Sequence, residues 1–331
     1  MANPTIDTLL LFSLPASGKS EVRRYMDQLT PQQCRDDFNI GTTLQLDDYP
    51  YVHLMHRIDD LLLEHGWKNA YYRGPHRPFV DEWTWAALIE LLNEDYRNLI
   101  ESKQVQVVSA AQHLFDRLDA AHVRAGVRPL LGEVPWRIRL AVGEALEAEC
   151  RKELDTLNTQ NALDKKGKTI VMECARGGPN GMDFPLTPPF GYSTAFAHLS
   201  PTILERASVL YIWVEPQESR RKNVERGRPD GSGSILHHSV PAEVMLGQYA
   251  KDDMAYLLEQ SDKCGTIRVD RVLERNGKYE PKSYYLPVGR FDNRTDRTSF
   301  VREAKEKWAK PDVERLHGGL KIAFEQINAA R

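Results

Sequence analysis

Four short runs along the chain are apolar at nearly every position: Thr8–Phe12 and residues 169–174, 209–214 and 284–288. Continuous apolar runs of this length, without polar alternation, predict strands covered on both faces, as in a parallel sheet. A fifth, more polar run at 42–46 predicts an edge strand or an extended segment. Helical periodicity lies between them. Val22, Tyr25, Met26 and Leu29 recur at i, i+3, i+4 and i+7, in a helix that should stop before Pro31. Strands separated by helices imply right-handed crossovers and a doubly wound α/β fold with a mostly parallel five-stranded sheet.

From Val52 to Asn158 no segment reads as a strand. Ile58, Leu61, Leu62 and His65 form one amphipathic face, and Trp83, Ala87, Leu88, Leu91, Leu92 and Leu99 another; residues 137–157 form a third. Roughly a hundred residues of helix exceed what a crossover needs, so the pattern predicts a large helical insertion. The expected division is a core of 1–52 with 165–331 and an insertion of 53–164, as plain cover or as a cap over an acceptor site. A small second insertion is expected after Ser261, where 266–273 and 278–284 flank Asn276-Gly277, a two-residue hairpin signal. Residues 299–329 read as helix with a break at Pro311, and Trp85, Trp136 and Trp213 as core.

Composition adds exclusions. The 331 residues are 41% hydrophobic and 27% charged with a formal net charge of −3, which argues against a nucleic-acid scaffold without forbidding a local basic groove. Four cysteines are too scattered for a disulfide framework or zinc site, and adjacent His237 and His238 lack metal-ligand spacing. The first apolar run is too short for a signal peptide or membrane span, so a cytoplasmic chain without membrane partners is expected.

The chemistry begins at Ser13-Leu-Pro-Ala-Ser-Gly-Lys-Ser20, which matches GxxxxGK[ST] except at its first position, where Ser13 replaces glycine. Such a loop between strand and helix wraps backbone N–H groups around phosphate oxygens and presents a helix N-terminus to them. Ser13, Ala16, Ser17 and Gly18 are the expected loop contacts. Lys19 would reach the β- and γ-phosphates, and the Ser20 hydroxyl would ligate Mg²⁺. Serine at position 13 resists positive φ and is expected to strain the turn. Glu173, at the carboxyl end of a strand, sits where a sheet presents ligands; its metal role competes with a structural pair to Arg176. Arg176, followed by Gly177-Gly178, is either an anion clamp for the acceptor or part of an ordinary turn. Asp252-Asp253 reads as a solvated or capping pair within a helix.

The motif and its context resemble the P-loop kinase group, which includes polynucleotide, gluconate, shikimate, nucleoside and adenylate kinase-like enzymes. The resemblance covers the two ends and the middle strands, not the helical insertion. It implies a P-loop NTPase type of sheet and an ATP- and Mg²⁺-dependent transfer of the γ-phosphoryl to a small-molecule, nucleoside or nucleotide acceptor. It also implies that Glu173 occupies the Walker B position and that Asp48 or Asp47 orients the acceptor hydroxyl, although Asp-Asp-Tyr-Pro is equally good turn chemistry. By the same resemblance Arg221, Arg226 and Arg228 belong to a lid hinged on 229–238, and Asn293 borders the adenine. Two alternatives stand beside the kinase: a nucleotide-sensing module without transfer, and a P-loop ATPase. No guanine-reading NKxD occurs, and no protein partner is legible.

Overall fold

The computed structural model describes residues 4–227, 239–275 and 277–331. Its sheet has six strands: β1 (Thr8–Phe12), β2 (Thr42–Asp47), β3 (Lys168–Cys174), β4 (Ala207–Trp213), β5 (Thr266–Arg275) and β6 (Lys278–Asp292). They lie in the order β2-β3-β1-β4-β6-β5. β1 is parallel to both β3 and β4, and β4 is parallel to β6. β5 runs antiparallel to β6 along its whole length.

Two expectations change here. The sheet has six strands, not five, and the hairpin is no separate insertion: its second strand continues into the main sheet. Residues Lys278 to Pro287 of β6 pair with β5, and the segment from Val288 to Asp292 pairs with β4. β5 is legible in retrospect, because Ile267 and Val269 are buried while Arg268 and Asp270 are exposed, the alternation of a strand with one wet face.

The chain divides into two compact units, residues 1–45, 167–197 and 201–331, and residues 46–166 with 198–200. In the first, every β1 residue is buried. One face of the sheet packs Leu9, Leu11, Val171, Leu210 and Ile212 against three helices: α1 (Lys19–Met26), α2 (Pro31–Phe38) and, at the C-terminus, the last helix (Lys310–Ala330). On the other face Phe12 stacks on Tyr192 at 5.0 Å and meets Phe196 at 5.4 Å. Pro311 lies in the first turn of the last helix, where its missing N–H costs nothing, and so starts that helix where a break was expected.

The second unit is helical: α3 (Tyr49–Glu64), α4 (Thr84–Ile100), α5 (Ala110–Arg124) and α6 (Trp136–Ala162). The Ser109 hydroxyl caps α5 by accepting from the Gln112 amide at 3.1 Å. Buried Asp59 on α3 accepts three consecutive amides, Ala70 to Tyr72, and so ties the α3–α4 connection down. Trp85 is buried as expected; Trp136 is not core, being 68% exposed at the start of α6.

The remaining helices belong to the sheet unit's connections: α7 (Gly191–His198), α8 (Pro201–Leu204), α9 (Pro216–Arg226), α10 (Ala242–Gln248) and α11 (Met254–Gln260), which makes the C-terminal helix α12. No helix among the described residues is long and apolar enough to cross a membrane.

Candidate phosphate site at the carboxyl edge of the sheet

The connection leaving β1 runs toward the β2 edge, whereas the one leaving β3 crosses back over β1 to reach β4. The switch point therefore lies between β3 and β1, where Cys174 and Phe12 pair. Open α/β sheets present ligands at the carboxyl ends of the strands at such a point. The 13–18 loop leaves β1 there and enters α1 at Gly18, with no side-chain cap on the helix.

The loop turns through two left-handed residues, Ala16 at φ +54° and Gly18 at φ +105°. Ser13 is not among the positive-φ residues, so the strain expected there is absent. Instead the buried Ser13 hydroxyl donates to the Leu14 carbonyl at 2.9 Å and bonds the Ser17 hydroxyl across the loop. Gly18 admits no side chain: a Cβ there would lie 2.4 Å from Thr298 Oγ1 and 2.8 Å from Asn293 Nδ2. Lys19 is 8% exposed and folds back over the loop, its ammonium 3.2 Å from the Ser13 carbonyl and 3.4 Å from that of Leu14.

Neighbouring elements hold the loop from outside. Asn293, after β6, donates to the Ser17 carbonyl at 2.6 Å and to Thr298 Oγ1 at 2.9 Å, and accepts from the Arg297 amide at 2.6 Å. Its side chain is fully buried and committed to the loop, which differs from the base-bordering role the resemblance implies. Ser219 on α9 donates to the Pro15 carbonyl at 2.8 Å. Sequence reasoning named Asn293 in a different role and missed Ser219, because a lone serine on a helix carries no distinguishing signal.

The first turns of α1 present two faces. Arg23 pairs with Glu173 at 2.8 Å, a structural pair that the sequence did not signal. Ser20 lies three residues before Arg23 and therefore on the same face of the helix, toward Glu173. On the next face the fully buried Glu21 takes Arg302 at 2.7 Å and faces Arg226 at 4.0 Å.

The three arginines expected in a lid separate. Arg226 is brought to α1, with its side chain 11% exposed and its Nε lacking a hydrogen-bond partner. Burial pulls its guanidinium below the usual arginine range, against the pull of Glu21. Arg221 is half-exposed and spent on its own helix, paired with Glu218 at 2.7 Å and with Glu225. Arg228 lies outside the described residues, as do 229–238, where a hinge was expected, with His237 and His238, and Asn276.

Arg176 is buried and donates to the Ala175 carbonyl at 2.6 Å. The glycines after it serve backbone packing: a Cβ on Gly177 would stand 2.6 Å from the Lys251 carbonyl, which accepts the Gly178 amide at 2.8 Å. Asp252 and Asp253 precede α11 and do not lie inside a helix as expected. Asp253 is buried and accepts the Tyr192 amide at 2.6 Å and that of Ser193 at 3.0 Å, capping α7. Asp252 accepts the Tyr211 hydroxyl at 2.9 Å and keeps a solvent-facing edge, while burial pushes its carboxyl up to about 6. Tyr211 pairs with Phe12, so this titratable pair stands level with the start of the loop. Trp213 is half-buried, not core, held between the guanidinium groups of Arg290 at 4.4 Å and Arg294 at 3.7 Å.

Asp47 and Asp48 fall in the helical unit. Asp47 accepts the Tyr49 amide at 2.9 Å, the turn chemistry that competes with a catalytic reading, and Asp48 is the N-cap of α3 without a side-chain cap bond. Among the described residues no group of three or more His, Cys, Asp and Glu side chains could hold a metal ion. No family model matches the chain, and neither the curated proteins nor the solved structures contain a match.

Proposed function

We propose that the chain binds a nucleoside triphosphate, ATP, on a P-loop formed by residues 13–20 and transfers the γ-phosphoryl group to a small acceptor. The observation that carries this reading is the loop itself. Two left-handed residues, one of them a glycine with no room for a Cβ, bend the backbone at the carboxyl end of β1, beneath a lysine folded over its carbonyls. An arrangement of this kind suits an anion of several oxygens: backbone amides and an uncapped helix start supply donors, and Lys19 supplies charge that a γ-phosphate would draw off the carbonyls.

The donor set also fits Mg²⁺. Ser20 and Glu173 offer the hard oxygens that Mg²⁺ takes, with Ser20 one turn from the Arg23 that pairs with Glu173. Mg²⁺ bound there would neutralise charge on the β- and γ-phosphates. Arg226 would stabilise the charge that spreads over the transferring group, because its Nε is buried without a partner. Arg221 would contribute nothing to that step, since two carboxylates of its own helix already hold it.

The test is turnover of ATP with Mg²⁺ by two arginine variants. Arg226→Ala is expected to lower kcat on the order of 10³-fold, and Arg221→Ala to leave it within about twofold. Equal effects of the two substitutions would contradict the assignment of Arg226.

A further inference from the structure

The helical unit contains a cleft that the phosphate chemistry does not use. It opens between α3, α4, α5 and α6 in two lobes that share His113, Arg117, Leu154 and Leu157. One lobe measures about 270 Å³ counted out to its open mouth.

Arg117 would suggest an anion, but its charge is already spent. Its Nε lies 3.0 Å from Glu94 and its other arm 2.6 Å from Asp95, whose second oxygen accepts the Tyr51 hydroxyl. That leaves Glu153, on α6, as the lining carboxylate with no ion pair or hydrogen bond among the described residues. Burial pushes its carboxyl up, helped by Asp95 and Asp47 and opposed by Arg117 and Lys152. The other titratable lining groups add no positive charge. Burial pulls the His113 imidazole down, and the Cys150 thiol is pushed up to about 12.

The second lobe holds an independent demand. Asn98 on α4 is 6% exposed and lines the cleft, and its Oδ1 has no hydrogen-bond partner. A buried acceptor is stabilised by a donor, so Asn98 favours a ligand that brings one. The cleft therefore presents two unmet acceptors, one charged and one neutral, and no free cation among the described residues.

We propose that this cleft binds a small primary amine that also carries a hydroxyl group, with the ammonium on Glu153 and the hydroxyl donating to Asn98. The ammonium replaces the water that Glu153 has lost, and the hydroxyl supplies the donor that Asn98 lacks. This binding does not depend on the phosphotransferase reading.

The experiment titrates the full chain, without nucleotide, with ethanolamine, with ethylene glycol as its neutral counterpart and with glycolate as its anionic one. The readout is the His113 ring resonances. Ethanolamine is expected to bind at least about tenfold more tightly than ethylene glycol, and glycolate not at all. Affinity should fall as pH is lowered and Glu153 takes up its proton. Glu153→Gln should remove the preference for ethanolamine while leaving the melting temperature unchanged or higher, because it removes a carboxylate that burial disfavours. If that variant fails to fold, the comparison of the three probes on the unaltered chain still decides. Equal binding of ethanolamine and ethylene glycol, tighter binding of glycolate, or unmoved His113 resonances with ethanolamine would each overturn the proposal.

Discussion

Asp59 shows how a single residue can tie pH to stability. It is 4% exposed and accepts three backbone amides, which favour its charge, yet burial outweighs them and pushes its carboxyl up to about 6. A carboxyl whose folded pKa lies above its unfolded value takes up a proton more readily when folded. Its contribution to stability is therefore fully present below the unfolded value near 4 and is lost as pH rises through about 6. Between pH 7 and pH 5 the native chain should gain about 1 kcal/mol from this group, a gain that Asp59→Asn lacks. His113 and His122, both pulled down by burial, oppose it over the same range, so the quantity to measure is the difference between the two proteins in urea unfolding at each pH. A difference that does not change with pH would contradict the account. Legibility in sequence is uneven at this scale. Gly18 and Lys19 announce themselves because their spacing is dictated by what the loop must do. Ser219 does not, and Asn293 is marked without its bond to the loop, since a long-range bond to a carbonyl leaves no local pattern.

At the scale of elements, the strands that run apolar throughout were legible, because burial on both faces removes every polar position. All of β5 and both ends of β6, beyond 284–288, escaped the sheet assignment. Their exposed outer halves carry the alternation of a free hairpin, and nothing local shows that β6 continues as a partner of β4. Helix docking depends on similarly silent positions. A Cβ on Gly289 in β6 would lie 2.0 Å from the Ala323 carbonyl of α12, so the helix rests directly on the strand. Gly289→Ala must push that backbone away and is expected to cost about 1–3 kcal/mol, read as a lower midpoint in denaturant unfolding. An unchanged midpoint would mean that α12 is not seated there.

For the whole molecule, the sequence marks out an α/β fold and a long helical stretch, and the structure resolves into an α/β unit and a helical one. The cleft in the helical unit was not legible, because Asn98, Arg117 and Glu153 come from three helices and share no spacing. The central claim concerns the sheet unit, and it is tested most directly by ADP release from ATP and Mg²⁺, with and without pooled hydroxyl acceptors, for the native chain and for Lys19→Ala. The account predicts acceptor-dependent release that falls by two orders of magnitude or more, roughly 3 kcal/mol of transition-state stabilisation, when the lysine is removed. ATP that does not bind, or release that ignores both the acceptor and Lys19, would contradict it.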